Sequence, residues 1–382
     1  MWFYICNKLN VYFLIFCVYF LYERVILKLL YLTYLNSASK NSGVLEQQQY
    51  EHDLSDDSID IEMWSEDRLP GYSVHHQYPT FLKFRILRKL FIFLYILRQS
   101  SVYDTVVLRY SPCDIFSILS SIFIKNIYFV HHTMEGAIVK NSPFSTYLYR
   151  FIEKAIGLIV YRFASGVIGV TSEIVNYEKR RLIINKPSYV YPNGISLIDF
   201  PLADDKRSGA LKFVFVASYF HYWQGLEDLL LIMSKSAFRD FELHVIGDIP
   251  DTTKPLIDML RLTENVIIYG RLHKLEIKNV IENMDVGLGS FCLDRVNMKS
   301  ASTLKVREYL ALGLPVFSGH IDESLIGLET YKAVDGLNFT MSDLVEYSQK
   351  MRRFSRSEVR SLSSDKIDKK TLQRDFISWL SK

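Results

Sequence analysis

The segment Ser302–His320, STLKVREYLALGLPVFSGH, predicts a short helix, a glycine stop and then a buried strand. The start of this helix is unusual, because Lys305 and Arg307 lie where the helix dipole favours negative charge. An anion bound at the helix N-terminus would turn such cations into ligands. The segment therefore predicts a strand-and-helix fold together with an anion site at the start of one helix.

The same alternation of strand and helix recurs on the N-terminal side of this segment. Strand-like runs such as LKFVFVAS (211–218) and FELHVIGD (241–248) are each followed by a helical run, and VILKLLYLTYLN (25–36) opens a strand–helix–strand unit. Strands that alternate with helices indicate parallel sheets covered on both faces. The polar, aperiodic segment 199–210, DFPLADDKRSGA, predicts a linker between two such units.

We therefore predict an α/β protein with two doubly wound domains, residues 25–198 and 199–382, after an apolar extension at residues 1–24. The last helix of the second domain is a candidate for crossing back to the first. Because ligands of such sheets bind beyond the carboxyl ends of the strands, the expected site is the cleft between the two domains.

The composition excludes several classes of protein. The 382 residues are 49% hydrophobic and 23% charged, which is typical of a globular chain. A formal net charge of +3 and the lack of a sustained basic stripe argue against nucleic-acid binding. The four cysteines form no C-x-x-C pair, which favours unpaired thiols in a reducing compartment and no metal site.

Two apolar segments suggest contact with a membrane. The run Leu9–Tyr22 is interrupted only by Asn10 and is shorter than the ~20 residues that span a bilayer. A membrane anchor, a signal-peptide core and a stretch translated from a misplaced start codon are all open readings of it. The segment 81–98, FLKFRILRKLFIFLYILR, predicts a helix at an anionic membrane surface, or else a core helix with exposed basic ends.

A set of motifs between Gly166 and Ser324 carries a family resemblance. VTSEI, YPNGIS, FVFVASYFHYWQGLEDLL, ELHVIGD, NVIIYGRL, MDVGLGSF and LKVREYLALGLPVFSG occur there in order. The chain resembles the retaining GT-B glycosyltransferases of family 4 (glycosyl transferases group 1), especially bacterial members that build surface polysaccharides. The resemblance implies two Rossmann-like domains that face each other across a cleft. It also implies sugar transfer from a nucleotide-sugar donor, with neither a metal nor a separate cofactor.

The resemblance assigns roles to individual residues of the donor site. Lys305 would neutralise the diphosphate as the nucleotide leaves, and Glu308 would accept hydrogen bonds from the ribose hydroxyls. The alternative is that Lys305 and Glu308 form a solvent-exposed i,i+3 pair, and Arg307 is expected to be a plain surface or structural residue. The other donor-binding residues that the resemblance implies are Gly43, Ser218, Gln224, Gly225, Gly247, Arg271, Thr303 and Leu304.

Two positions depart from the family pattern. Gln224 stands where the family usually has a lysine that contacts the diphosphate, so its amide can donate a hydrogen bond but offsets no charge. Ser300 stands at the first of two family glutamates, of which Glu308 is the second. These departures put the donor identity and the detailed mechanism in doubt.

In the N-terminal domain, the resemblance suggests a catalytic histidine in VHHT (130–133), near the C6 hydroxyl of the sugar. His132 is the predicted residue and His131 its rival; only one can face the cleft, because neighbours in a strand point to opposite faces. A packed histidine is the alternative role. Glu173 and Asn193 fall at strand ends, where the first can serve a helix start and the second a turn.

The resemblance implies a lipid-linked saccharide as the acceptor and a peripheral position on the cytoplasmic face of the cell membrane. Retention without an evident nucleophile suggests that the acceptor attacks from the side of the leaving group. Two other functions stay open: another GT-B enzyme such as a nucleotide-sugar epimerase, and a non-catalytic sugar-nucleotide-binding subunit. Gln224 and Ser300 lend weight to the second of these.

Overall fold

The computed structural model describes residues 27–37, 42–55, 58–137, 142–183 and 185–382. The apolar run predicted at residues 1–24 lies outside the described residues. Within the described ranges, no helix combines the length and the apolar character that crossing a membrane requires.

The first domain is built on a seven-stranded parallel sheet in the order β3-β2-β1-β4-β5-β6-β7. Its strands are β1 (Leu29–Tyr34), β2 (Ile59–Ser65), β3 (His75–Gln77), β4 (Thr105–Arg109), β5 (Ile127–His131), β6 (Gly166–Gly169) and β7 (Ser188–Val190). Its helices are α1 (Ser42–Asp53), α2 (Arg85–Gln99), α3 (Ile115–Phe123), α4 (Pro143–Phe163) and α5 (Ser172–Leu182).

The second domain repeats this plan with six parallel strands in the order β10-β9-β8-β11-β12-β13. Its strands are β8 (Leu211–Tyr219), β9 (Phe241–Asp248), β10 (Val266–Gly270), β11 (Val286–Leu288), β12 (Val316–Ser318) and β13 (Tyr331–Ala333). Its helices are α6 (Leu226–Ser234), α7 (Thr253–Met259), α8 (Lys274–Ile281), α9 (Leu304–Ala311), α10 (Met341–Met351) and α11 (Arg356–Ile367), and a last helix α12 (Lys369–Leu380) follows.

Both sheets have the strand order of a doubly wound Rossmann-like fold, which confirms the predicted fold class. Burial explains the sequence pattern. The first five residues of β1 are all buried because helices cover both faces of the sheet, so the strand reads as a continuous apolar run. In each sheet the strand order reverses beside the first strand, so the carboxyl ends of β1 and β8 mark where ligands are expected.

The linker and the last helix tie the two domains together. Phe200 and Ala203, in the segment 199–210, are buried in the core of the second domain. Helix α12 returns to the first domain, where Phe376 stacks on Tyr191 with ring centroids 4.4 Å apart. Gln373 of the same helix donates from Nε2 to the carbonyl of Glu51 at 2.9 Å. A chain segment that follows the second domain therefore completes the core of the first.

Candidate functional site

The N-terminus of α9 combines a free helix start with an unpaired cation. The N-cap residue Thr303 makes no capping hydrogen bond, and its buried Oγ1 has no partner among the residues that the structure describes. Lys305 lies in the first turn, as the sequence predicts, and its buried Nζ has no hydrogen-bond partner in the described part of the chain. The ammonium lies 4.9 Å from the ring centroid of Phe215. Such a helix start is suited to an anion.

Burial dominates the electrostatics of Lys305. It lowers the pKa of the lysine to about 7, although the Coulombic effect of Glu308 acts in the opposite direction. An ordinary lysine has a pKa of about 10.4, so this buried position disfavours the charged form strongly. An anion that entered the site would restore the charge. A lysine at neutral pH would then respond to its ligand by taking up a proton.

Glu308 lies one turn further along α9 and is half-buried. It lines a cavity of about 60 Å³ with Val216, Lys274 and Leu312 among the other lining residues. Burial raises the pKa of its carboxyl group, and the Lys274 ammonium lowers it. The alternative of a solvent-exposed Lys305–Glu308 pair is wrong, because the lysine Nζ is buried and the two described side chains form no ion pair.

Arg307 has a structural role and does not belong to the surface. Its side chain is 0% exposed and forms an ion pair with Asp322. Its Nη2 also donates to Oγ of Ser324 at 2.9 Å. Of the two cations that the sequence places at this helix start, one is therefore neutralised inside the protein and the other is not.

The turn before α6 uses both predicted residues, Gln224 and Gly225. Gly225 is the N-cap with φ 78°, a left-handed conformation that favours glycine. Gln224 is buried, and its Oε1 accepts from the backbone N–H of His221 at 3.0 Å. The amide oxygen therefore serves the turn itself, which leaves Nε2 as the group with which Gln224 can donate to a ligand.

The other predicted donor-site residues lie at strand ends or in a helix start. Gly247 has φ +124°, and a Cβ there would lie 1.6 Å from the carbonyl oxygen of Ala217, so close packing of β8 and β9 alone requires glycine. Ser218 is exposed near the end of β8. Arg271 follows β10 and donates from Nε to Asp248 at 2.6 Å. Gly43 lies in the first turn of α1, because that helix begins at Ser42, before the glycine.

His132 and His131 have different environments. His131 ends β5, and both ring nitrogens are used: Nδ1 lies 2.8 Å from Glu135 Oε2, and Nε2 lies 2.6 Å from the hydroxyl of Tyr161. His132 has a buried Nε2 with no partner among the described residues. Burial, with the nearby Arg109 guanidinium, holds the pKa of His132 well below its usual value, so this imidazole is neutral. His131 is thus a packed structural histidine, and His132 is free to meet a ligand.

His132 lines a cavity of about 250 Å³ at the carboxyl ends of β1, β4 and β5. Asn36 and Arg109 line the same cavity, and Arg85, Arg88 and Lys89 reach it from the first turns of α2. Glu135 also lines the cavity, and Arg88 and Lys89 are paired with Glu66 and Asp114. Arg85, Arg109 and the neutral imidazole are therefore the groups that suit an acidic or hydroxylated ligand.

A buried polar cluster lies behind His131. Potential ligand atoms of His131, Glu135 and Glu178 lie within 4.8 Å of one another. Arg181 already forms ion pairs with Glu178 and with the buried Glu153. Since a guanidinium provides the positive charge here, this arrangement is a hydrogen-bonded core network in which a metal ion would compete with Arg181.

The two domains are joined by contacts that the sequence pattern did not reveal. Glu173 Oε2 accepts from the N–H groups of Lys299 and Ser300 at 3.0 and 2.7 Å, and from Ser300 Oγ at 2.9 Å. Ser172 donates its N–H to Glu323 Oε2 at 2.6 Å. Ser300 therefore lies beside a carboxylate that comes from the opposite domain.

Asn193 completes this set of contacts. Its N–H donates to Ser302 Oγ at 2.8 Å, and its Nδ2 donates to the Ser302 carbonyl at 2.5 Å. We refer to Ser172, Glu173 and Asn193, with their partners Lys299, Ser300, Ser302 and Glu323, as the interdomain clasp. The clasp holds the segment 299–302, which leads directly into the first turn of α9. The position of Lys305 therefore depends on residues of both domains.

Several solved structures are similar to this chain in overall fold over nearly their whole length. A glycosyltransferase from Rickettsia africae ESF-5 is 17% identical, covers 92% of this chain and 98% of its own, and has a TM-score of 0.65. Anabaena Alr3699/HepE in complex with UDP is 12% identical, and the match covers 93% of this chain and 100% of the Anabaena chain, with a TM-score of 0.63. The lipopolysaccharide outer core galactosyltransferase WaaB, in its apo form, is 14% identical, and the match covers 92% of this chain and 99% of the WaaB chain, with a TM-score of 0.61.

The chain has the GT-B fold. No family model and no curated protein sequence matches it. At identities this low the likeness establishes the fold alone, and the chemistry has to come from the residues of the cleft.

Proposed function

We propose that this protein is a glycosyltransferase that moves a sugar from a nucleotide-sugar donor to a lipid-linked glycan, with retention of anomeric configuration, in bacterial surface-polysaccharide assembly. The observation that carries the proposal is the buried ammonium of Lys305 at the N-terminus of α9, which has no hydrogen-bond partner among the described residues. A diphosphate is the anion that a helix start and a lysine together suit best. The similar Anabaena protein is known in complexes with UDP and with UDP-glucose.

In this proposal, α9 binds the nucleotide along its first two turns. The backbone N–H groups at Thr303 and Leu304 point to the diphosphate, and Lys305 neutralises the negative charge that grows as the sugar–phosphate bond breaks. Glu308 accepts from the ribose hydroxyls. The acceptor hydroxyl forms the new bond to the sugar from the side that the diphosphate leaves, and its proton passes to a departing phosphate oxygen. His132, neutral in its cavity, hydrogen-bonds a sugar hydroxyl from the opposite domain.

A lipid-linked acceptor and a peripheral position at the inner face of the cell membrane belong to the same proposal. The cavity beside His132 has basic residues from α2, which suits the diphosphate of a lipid carrier. Two of the basic residues of the predicted membrane helix are committed inside the protein, however. Arg88 pairs with Glu66, and Lys89 Nζ lies 2.9 Å from Asp114 Oδ2.

Thermal stabilisation by a panel of nucleoside diphosphates tests the donor site, because a ligand of the native state raises its melting temperature. We expect stabilisation of the wild type by at least one diphosphate and a much smaller effect in Lys305→Gln. Lys332→Gln, which changes an exposed lysine of β13, is the matched control. Equal stabilisation of all three proteins would place the anion elsewhere.

A non-catalytic nucleotide-sugar-binding subunit is the second candidate, and Gln224 and Ser300 favour it. The two candidates differ in chemistry, since a transferase hydrolyses its donor slowly when no acceptor is present. Release of free nucleotide from a stabilising donor by the purified chain, lost in Lys305→Gln, is expected for the enzyme. Binding without any release, even with membrane extracts that contain lipid-linked glycans, would support the subunit.

A further inference from the structure

Three neighbouring helices of the first domain expose large apolar side chains. On their inner sides, α2, α3 and α4 pack on the same side of the sheet, through residues such as Ile96, Ile118 and Val160. Their outer sides therefore form one surface, which we name the three-helix face. It exposes aromatic rings such as Phe123, Phe144 (76% exposed), Tyr147, Phe151 (64% exposed) and Phe163.

The charges on this face have a single sign. The exposed charged side chains of the three helices are Arg85, Arg98, Arg150, Lys154 and Arg162, all basic. The one acidic residue in these helices, Glu153, is buried and accepts from the hydroxyl of Tyr110 at 2.7 Å. Apolar and aromatic side chains mixed with cations alone are suited to the interface of an anionic bilayer.

A second copy of the chain is a poorer occupant for the same surface. In a two-fold symmetric dimer the same patch would face itself, so the cations of one copy would lie against those of the other. Anionic lipid headgroups would neutralise these cations, while the aromatic rings enter the boundary between headgroups and acyl chains.

We propose that the three-helix face, through α4 above all, is the surface by which this protein docks on an anionic membrane. The proposal rests on the proposed function and names the partner of its acceptor side. Arg85 belongs to both the face and the cavity that His132 lines. A carrier lipid could therefore present its headgroup to the cavity while its acyl chains stay in the bilayer.

This surface differs from the one that the sequence predicts. The sequence pattern favours α2 alone, with Arg88 and Lys89 among its lipid ligands, yet both have partners inside the protein. Helix α4 reads in sequence as an ordinary long helix. Its exposed cations Lys154 and Arg162 lie beside its apolar side chains, whereas Arg150 donates to the carbonyl of Ala137 at 3.1 Å.

Vesicle flotation of the full-length chain tests the proposal, with phosphatidylglycerol vesicles compared with phosphatidylcholine vesicles. We expect the wild type to float with the anionic vesicles. Each basic residue near such a surface contributes ~1 kcal/mol, so the double variant Lys154→Gln and Arg162→Gln should bind about 25-fold more weakly. A second variant, Phe144→Ser with Phe151→Ser, removes apolar contacts and should also lose binding.

The matched control is Met259→Ser with Leu362→Ser, which changes exposed apolar residues of the second domain. It should float like the wild type. The full chain retains residues 1–24 in every variant, so undiminished flotation of both α4 variants would overturn the proposal and assign binding to another segment. A wild type that ignores anionic vesicles would overturn it as well. A wild-type dimer in light scattering that the α4 variants dissociate would assign the face to a second copy.

Nucleotide binding is measured on the same proteins. Loss of flotation with unchanged stabilisation by nucleoside diphosphate is the expected result for the α4 variants, and it also shows that they are folded. If no diphosphate stabilises the wild type while flotation behaves as expected, the proposed function fails and the three-helix face stands. If nucleoside diphosphate stabilises the α4 variants normally and their flotation is unaffected, the proposed docking surface is wrong, whereas the proposed function stands.

Discussion

The N-termini of α5 and α9 both lie at the contact between the domains, but they are completed in different ways. In α5, Thr171 caps the helix by accepting from Ile174 N–H at 3.3 Å, and Glu323 of the other domain accepts from Ser172 N–H. In α9, the side chain of Thr303 makes no capping hydrogen bond, and the ammonium of Lys305 in the first turn has no partner within the part of the chain that the structure describes. The start of α5, which we name the closed helix start, is satisfied by the protein. The start of α9, which we name the open helix start, has no such partners among the described residues.

This difference separates a structural role from a ligand-binding role. Carboxylates at the start of α5 satisfy the helix dipole and also join the domains, so they stabilise the empty protein. A buried lysine without a partner opposes folding, and proteins retain such groups mainly at functional sites. The interdomain clasp, which includes Ser172 and Glu173 of α5, holds the segment that precedes α9. The N-terminus of α5 therefore helps to position the N-terminus of α9.

The largest expected effect is a loss of turnover when Lys305, in the open helix start, is replaced. Lys305→Gln should lower turnover ~10- to 1000-fold, toward the upper end because Gln224 supplies no second charge. The melting temperature of the empty variant should stay the same or rise. Lys305→Arg should recover only part of the turnover, because a planar fork replaces a point charge. Steady-state kinetics with melting curves check this, and wild-type turnover in a less stable Lys305→Gln would make Lys305 structural.

A smaller effect is expected one turn further along α9. Glu308→Ala should weaken nucleotide binding ~10- to 100-fold, since a hydrogen bond to a charged group contributes about 1.5–3 kcal/mol. Folding should change little, because Glu308 lines a cavity and is not part of the packed core. Isothermal titration calorimetry gives the affinity, with Glu329→Gln on the exposed surface as the control. Unchanged affinity in a folded Glu308→Ala protein would show that Glu308 does not bind the ribose.

The closed helix start should respond in the opposite way. Glu173→Ala should destabilise the empty protein by about 2 kcal/mol, because several charge-assisted hydrogen bonds across the domains are lost. It should also raise the KM for the donor by releasing the segment before α9. In a protein that already carries Glu173→Ala, the further change Ser300→Ala should cause little additional loss of stability, since both changes remove the same contact. Fully additive losses in a double-mutant cycle would show that the two residues act separately.

The last prediction concerns how the stability of the protein depends on pH through Lys305. The pKa of Lys305 is lowered to about 7 in the folded protein, below its unfolded value of about 10.4. The charged form is therefore penalised fully below pH 7, and the penalty disappears as the pH rises from 7 to 10. Lys305→Met should raise the melting temperature of the empty protein most at pH 6–7 and least near pH 10.

Calorimetry adds a direct readout of the same titration. Nucleoside diphosphate binding at pH 8 should take up part of a proton as Lys305 becomes charged, and binding to Lys305→Met should take up none. Titrations in two buffers with different ionisation enthalpies measure this uptake. Equal proton uptake by both proteins would mean that another group titrates.

The sequence by itself determined the two α/β domains and the helix that carries Lys305 and Glu308. Alternating apolar runs and helical periods are local signals, and each is long enough to be read without knowledge of the neighbours. Short strands such as His75–Gln77 and Tyr331–Ala333 are not predicted by the sequence, because three residues are too few to show an alternation of apolar and polar side chains. Their place in the sheet comes from the strands beside them.

Only the tertiary structure decided which of these residues are free and which are paired. Arg307 and Lys305 look alike in sequence, yet Arg307 pairs with Asp322 fifteen residues later. Among the described residues, Lys305 has no hydrogen-bond partner and lies near the ring of Phe215. The contact of Glu173 with Ser300 likewise joins residues that are 127 positions apart. Pairing and burial depend on which distant segments the sheets bring together, and no local pattern encodes that.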